Sequence, residues 1–182
     1  EESRPDIDQY AITCNGIEKL MTTLQLLDTQ GFERVIIFCN TKHMCQRLCD
    51  DMQGRSYSVD CLHGDIRQSQ REKVMQKFRD GKLNVLVATD VASRGIDVDD
   101  VECVINYDIP EENEYYIHRI GRTGRARRKG AAYTLVGSLL EKSKLDEIAK
   151  YSHFTIKPVK LTGDGKLQKV EVKKPQVKLK YR

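Results

Sequence analysis

RVIIFCNTKHMCQRLCDDM, residues 34–52, is the stretch that decides the fold. RVIIFC at 34–39 is a compact apolar run with no polar alternation, so it reads as a strand covered on both faces. Thr41 then stands where a helix cap is needed, and Met44, Leu48 and Met52 recur every four residues across a helix predicted over 42–52. Polar Asn40 and Thr41 fall at the junction, at the carboxyl end of the strand.

The same unit repeats outward from this stretch. Downstream, SYSVDCL at 56–62 reads as a strand, and 69–79 as a helix with Val74 and Phe78 inward. NVLVAT at 84–89 and ECVINYD at 102–108 are further strands, separated from AAYTLV at 131–136 by a short helix near 113–119. A helix over 138–150 ends before His153. Upstream, QYAITC at 9–14 is a short strand and IEKLMTTLQLLD at 17–28 an amphipathic helix. Apolar strands each followed by a helix predict an α/β domain, three layers deep, around a mostly parallel sheet. Ligands of such sheets bind beyond the carboxyl ends of the strands. The polar motifs fall there: Asn40-Thr41, His63-Gly64-Asp65 and Thr89-Asp90, each after its strand.

HRIGRTGR at 118–125, continuing as ARRKG, carries the chemistry. Arg119, Arg122 and Arg125 stand three apart, a spacing that brings their guanidinium groups toward one side of a helix or tight turn. Gly121 and Gly124 between them let another surface come close. Rigid forks at a close-approach surface suit planar recognition of phosphate or carboxylate. The chain contains no G-x-x-x-x-G-K-[ST], hence no phosphate-cradling loop of its own. Together these features describe half of a nucleotide machine, the half that supplies arginines.

The 182 residues, 39% hydrophobic, can bury one sizeable core. No apolar run approaches a membrane span of about 18 residues, no signal peptide opens the chain, and EESRPDIDQY reads as a cut from a longer protein. Six cysteines within apolar segments (14, 39, 45, 49, 61, 103) read as small buried hydrophobes of a reduced compartment. Cys45 and Cys49 can share a helix face near His43 and Cys39, but no second close-spaced pair completes a tetrahedron, so no metal centre is expected. The net charge of +4 is unevenly spread: residues 158–182 hold eight Lys or Arg against Asp164 and Glu171, leaving 1–157 slightly acidic. The domain is therefore expected to span 1–157, with 158–182 a basic tail that is either flexible or folded as an edge hairpin.

IIFCNTK at 36–42, HGD at 63–65, QSQRE at 68–72, LVATDVASRGIDV at 86–98 and HRIGRTGR at 118–125 resemble, in order and separation, the second RecA-like domain of the DEAD-box RNA helicases. The resemblance covers roughly residues 8–157. It implies the C-terminal half of an ATP-dependent enzyme whose first domain, absent here, holds ATP and Mg2+ through a phosphate loop and a D-E-A-D site. It also implies that Arg122 contacts the γ-phosphate and that Arg125 completes an arginine finger when the two domains close, placing positive charge on the transferring group. Asp97, beside Gly95, would accept from the ribose hydroxyl, and Arg94 would brace that loop. His118 and Arg119 would hold the motif's geometry rather than react. The family often has glycine where this chain has Arg127, whose role stays open, as do those of Arg128 and Lys129.

On the RNA side the resemblance implies Thr41, Lys42, Gly64, Gln68, Arg71 and Thr89, with Asp65 orienting Arg71 or a neighbouring amide. These are short donors and backbone amides at helix starts, suited to phosphate oxygens rather than base edges. Phe38 belongs to the buried strand. The implied function is local separation of short RNA duplexes by closure on ATP and one RNA strand. The alternative is an RNA clamp or scaffold that closes on ATP without useful unwinding. Expected partners are RNA, the N-terminal RecA-like domain and, through the tail, a partner protein or second copy. The expected setting is intracellular, cytoplasmic before nuclear, with no membrane.

Overall fold

The computed structural model describes residues 6–14, 16–94, 98–124 and 129–170. Strand and helix alternate as β1 (Ile7–Thr13), α1 (Gly16–Gln30), β2 (Val35–Cys39), α2 (Lys42–Gly54), β3 (Val59–Leu62), α3 (Gln68–Arg79), β4 (Val85–Thr89), α4 (Asp90–Ser93), β5 (Cys103–Asn106), α5 (Asn113–Ile120), β6 (Gly130–Val136) and α6 (Leu139–Ser152). Two further strands follow, β7 (Lys157–Leu161) and β8 (Leu167–Lys169). They form one sheet in the order β3-β4-β2-β5-β6-β1-β7-β8. Every pairing is parallel except the closing β7–β8 hairpin. The expected three-layer, mostly parallel α/β architecture is what the chain adopts.

The uninterrupted apolar strands serve both faces of the sheet. Val35, Ile37 and Cys39 of β2 pack into one core with Leu24 and Leu26 of α1 and Leu48 and Met52 of α2. Ile36 and Phe38, the alternate residues, pack into the other with Val74 and Phe78 of α3, Tyr116 and Ile120 of α5 and Ile148 of α6. Each such fully buried side chain contributes about 1.5–3 kcal/mol. In α2 the buried face is Cys45, Leu48, Cys49 and Met52, with Met44 only half-buried, so the stripe is wider than the four-residue repeat predicts. All six cysteines are buried and unpaired. Burial pushes the Cys39 and Cys103 thiols well above their ordinary range, which suits inert core residues.

The sheet runs past residue 157. Val159 of β7 is buried in the core shared with α1 and α2, and β7 pairs with β1 at Tyr10, Ala11 and Ile12. Gln25 and Gln30 of α1 donate side-chain amides to the carbonyls of Thr162 and Gly165, at 2.8 and 2.7 Å, clasping the hairpin turn. Residues 158–170 are therefore joined to the sheet by packing and hydrogen bonds; the rest of the basic segment, 171–182, lies outside the described residues.

Candidate nucleotide and RNA interface

β3, β4 and β2 lie side by side, so the segments leaving their carboxyl ends share one edge of the sheet. Thr41 caps α2, accepting the Met44 N–H at 3.1 Å, and Thr89 caps α4, accepting the Ala92 N–H at 3.4 Å. Capping uses hydroxyl lone pairs and leaves each O–H as a donor. Lys42 reaches the carboxylate of Asp65 at 3.2 Å, and both side chains are about half exposed or more. Such a pair stabilises by about 1 kcal/mol at most, so an arriving phosphate can exchange for it. A Cβ on Gly64 would meet nothing within 4 Å, so this domain's own packing makes no demand for glycine there. Gln68 opens α3 and is exposed, with its amide 3.5 Å from Glu72.

Asp65 does not orient Arg71, as one expectation had it: its carboxylate is held by Lys42, and Arg71 donates instead to the carbonyl of Ala92 at 2.8 Å. The reason is position, since Asp65 lies in the turn before α3 facing the start of α2, whereas Arg71 faces α4. His63 is the residue of this loop to which the sequence assigned no role of its own. It is 5% exposed; its Nδ1 accepts the Asp65 N–H at 3.2 Å, so Nε2 carries the proton toward Gln46 Oε1 at 2.7 Å. That bridge pins the turn carrying Gly64 and Asp65 onto α2.

Arg119 and Arg122, two of the three arginines expected on one side, do not stay together. Arg119 is 1% exposed. It grips Asp90 through two bonds of 2.7 Å, donates to the Asp108 carbonyl at 2.8 Å and to Asn40 Oδ1 at 2.7 Å, and lies over the Phe38 ring at 5.3 Å. Its fork is consumed in holding the ends of β2, β4 and β5 together. That places it among the structural residues, as the family resemblance implies, and removes it from phosphate recognition. Arg122, about one-fifth exposed, donates to the Ser93 carbonyl at 3.0 Å and lies 3.8 Å from Asp99. Arg94 stacks over Tyr115 with its guanidinium 5.1 Å from the ring, and exposed His118 lines a cleft with Gln9, Asp99 and Arg122.

The surface that approaches Gly124 belongs to the chain itself. Gly124 has φ +71°, and a Cβ there would stand 2.6 Å from Ile7 Cγ1 and 2.7 Å from the Asp6 carbonyl oxygen. Asp6 exchanges backbone bonds with Gly124 and Gly130, and Thr123 donates to the Val101 carbonyl. The turn after α5 is thus sewn onto the start of β1. Gly95, Asp97 and Arg125, with Arg127 and Arg128, lie outside the described residues.

α4, only four residues long, ties these groups together. Arg119 holds its first side chain, Asp90; Arg71 holds the Ala92 carbonyl; Arg122 holds that of Ser93. One residue expected on RNA and one expected on the nucleotide therefore grip adjacent carbonyls of the same turn.

A parallel α/β domain whose short polar donors and arginines gather at its strand ends has the form of a phosphate- or nucleotide-binding core. Residues 18–127 match the model of the helicase conserved C-terminal domain. The chain is 40% identical over 172 residues to the ATP-dependent RNA helicase DeaD of Buchnera aphidicola, covering 94% of this chain and 28% of that protein. It superimposes on the C-terminal domain of the DEAD-box protein Dbp5 with a TM-score of 0.79 at 34% identity, covering 86% of this chain and 91% of that one. With S. cerevisiae Dbp5 bound to RNA and ADP BeF3 the TM-score is 0.80 at 33% identity, covering 87% of this chain and 42% of that one. The chain belongs to the helicase conserved C-terminal domain family and is the second RecA-like core domain of the DEAD-box type. It spans between 25% and 40% of the length of curated relatives it matches.

Proposed function

We propose that this domain works as half of an RNA-dependent ATPase that closes, with a first RecA-like domain, on ATP and one RNA strand and so pries short duplexes apart locally. The observation that carries the reading is the shared grip on α4 by Arg71 and Arg122. Phosphate arriving at either arginine competes for the carbonyl it holds, so occupancy of one edge is felt through α4 at the other. Arg122 and Arg125 supply charge to the γ-phosphate, Gly95 and Asp97 meet the ribose, and the first domain holds Mg2+ and the attacking water. Thr41, Lys42, Gly64, Gln68, Arg71 and Thr89 take the RNA backbone without reading bases. The similarity to Dbp5 bound to RNA and ADP BeF3 supports this assignment of ligands.

In the full-length enzyme, Arg125→Ala is expected to lower the hydrolysis rate far more than RNA affinity, by up to about 10³–10⁵, the cost of a lost arginine finger. Equal losses in both would move Arg125 to the RNA face. The 182-residue chain alone, without a phosphate loop, is expected to release no phosphate from ATP above an Arg122→Ala control.

A further inference from the structure

α2 and the edge strand β3 bring together a group that the motifs do not use. The ligand atoms of Cys49, Asp60 and Cys61 all lie within 4.8 Å of one another, with both cysteines buried and Asp60 half-buried. Among the described residues no other three His, Cys, Asp or Glu side chains converge so closely; His43, Cys39 and Cys45, weighed with Cys49 from the sequence, do not. Neighbours along a strand ordinarily face opposite ways, yet Asp60 folds back to accept the Cys61 N–H at 2.9 Å. It can do so because β3 is the outermost strand of the sheet. Gln46 Oε1 lies 3.5 Å from the Cys61 sulfur, and Cys45, one turn before Cys49, meets the Cys61 thiol as well, its own sulfur 3.4 Å from the Val87 carbonyl.

The geometry points to a site for a soft divalent cation, zinc-like, held by Cys49, Cys61 and Asp60, with the fourth position open to water: we propose it as a metal staple between α2 and the β3 edge. Two thiolates and a carboxylate select such an ion over magnesium or calcium, which require cages of oxygen. Zinc–sulfur bonds of about 2.3 Å draw the two sulfurs to roughly 3.8 Å apart in a tetrahedron, a rearrangement of side chains alone. On binding, both thiol protons pass to solvent and the cation replaces them, so the site with metal carries one negative charge. Gln46, whose Oε1 meets both the Cys61 sulfur and His63 Nε2, links the staple to the turn carrying Gly64 and Asp65.

Cadmium serves as the spectroscopic probe on the fully reduced 182-residue chain. A cadmium–thiolate charge-transfer absorption should grow to one equivalent, with release of protons and a raised melting temperature. Cys49→Ser and Cys61→Ser should abolish the band, Asp60→Asn should weaken binding about 10–100-fold, and Cys14→Ser should leave it unchanged. Circular dichroism reports folding; should Cys61→Ser not fold, Cys49→Ser and Asp60→Asn decide. An absent band in the folded chain, or a band that persists in Cys49→Ser or is indifferent to Asp60→Asn, overturns the site.

Discussion

Arg119 and Arg122 are three residues apart in one motif and do opposite work. Arg119 has its guanidinium sealed between Asp90, Asn40 and the Asp108 carbonyl, so Arg119→Ala strands a carboxylate that is itself only 16% exposed. Breaking such a buried pair from one side costs about 3–5 kcal/mol. Urea unfolding should show that loss for Arg119→Ala and one several times smaller for Arg122→Ala, whose partners lie at a more open rim. Arg119→Lys should recover only part of it, because an ammonium cannot form the two-bond fork to Asp90. The family resemblance implied this difference, but the spacing of HRIGRTGR alone does not carry it: burial is decided by Asp90 and Asn40, which reach the arginine only once β4 and β2 lie side by side. The role of Gly124 was hidden for the same reason. Its flanking arginines point to a ligand, whereas its Cβ direction meets Ile7, more than a hundred residues away in the chain.

At the scale of elements, the apolar runs and the helix periods were readable because both faces of the sheet are covered, which leaves strands with no polar alternation. α4 was not, since four residues carry no period, and its order comes from three arginines contributed by α3, α5 and the turn after α5. Arg71→Ala should therefore do more than remove one RNA contact. In the full-length enzyme it is expected to uncouple the two edges, so that stimulation of ATP hydrolysis by RNA falls more than RNA affinity does; parallel losses would reduce Arg71 to a phosphate contact. The sequence left the β7–β8 hairpin undecided against a flexible tail because KPVKL and LQK, at the end of the sheet, turn their lysines to solvent and only a single valine inward. Truncation before Pro158 removes the buried Val159 and the strand beside β1. A melting temperature lower by more than about 5 °C is expected for that truncation, given roughly 2–4 °C per kcal/mol in a domain of this size.

Across the whole molecule, charge and structure divide the basic C-terminal segment in two. Lys160, Lys166 and Lys169 lie on the hairpin, whose place is set by packing, while residues 171–182 carry four lysines and Arg182 against Glu171. Basic residues that only neutralise phosphates add affinity for every RNA alike and make it steeply salt-dependent, by about 0.7 in the logarithmic slope for each phosphate on a single strand. Deleting 171–182 should thus lower the salt slope of single-stranded RNA binding by at most about 0.7 for each of its five cations, with equal losses on unrelated sequences. The melting temperature should stay within a degree or two of the intact chain, in contrast to truncation before Pro158. Anisotropy titrations across a range of salt, beside melts of the intact chain and both truncations, separate the two contributions. A slope that does not move while the 171–182 deletion melts early would reassign the segment from RNA to the core or to a second subunit. A slope that falls for one RNA sequence and not another would instead require base reading, for which the polar edge of β3, β4 and β2 offers short donors but no exposed aromatic platform among the described residues.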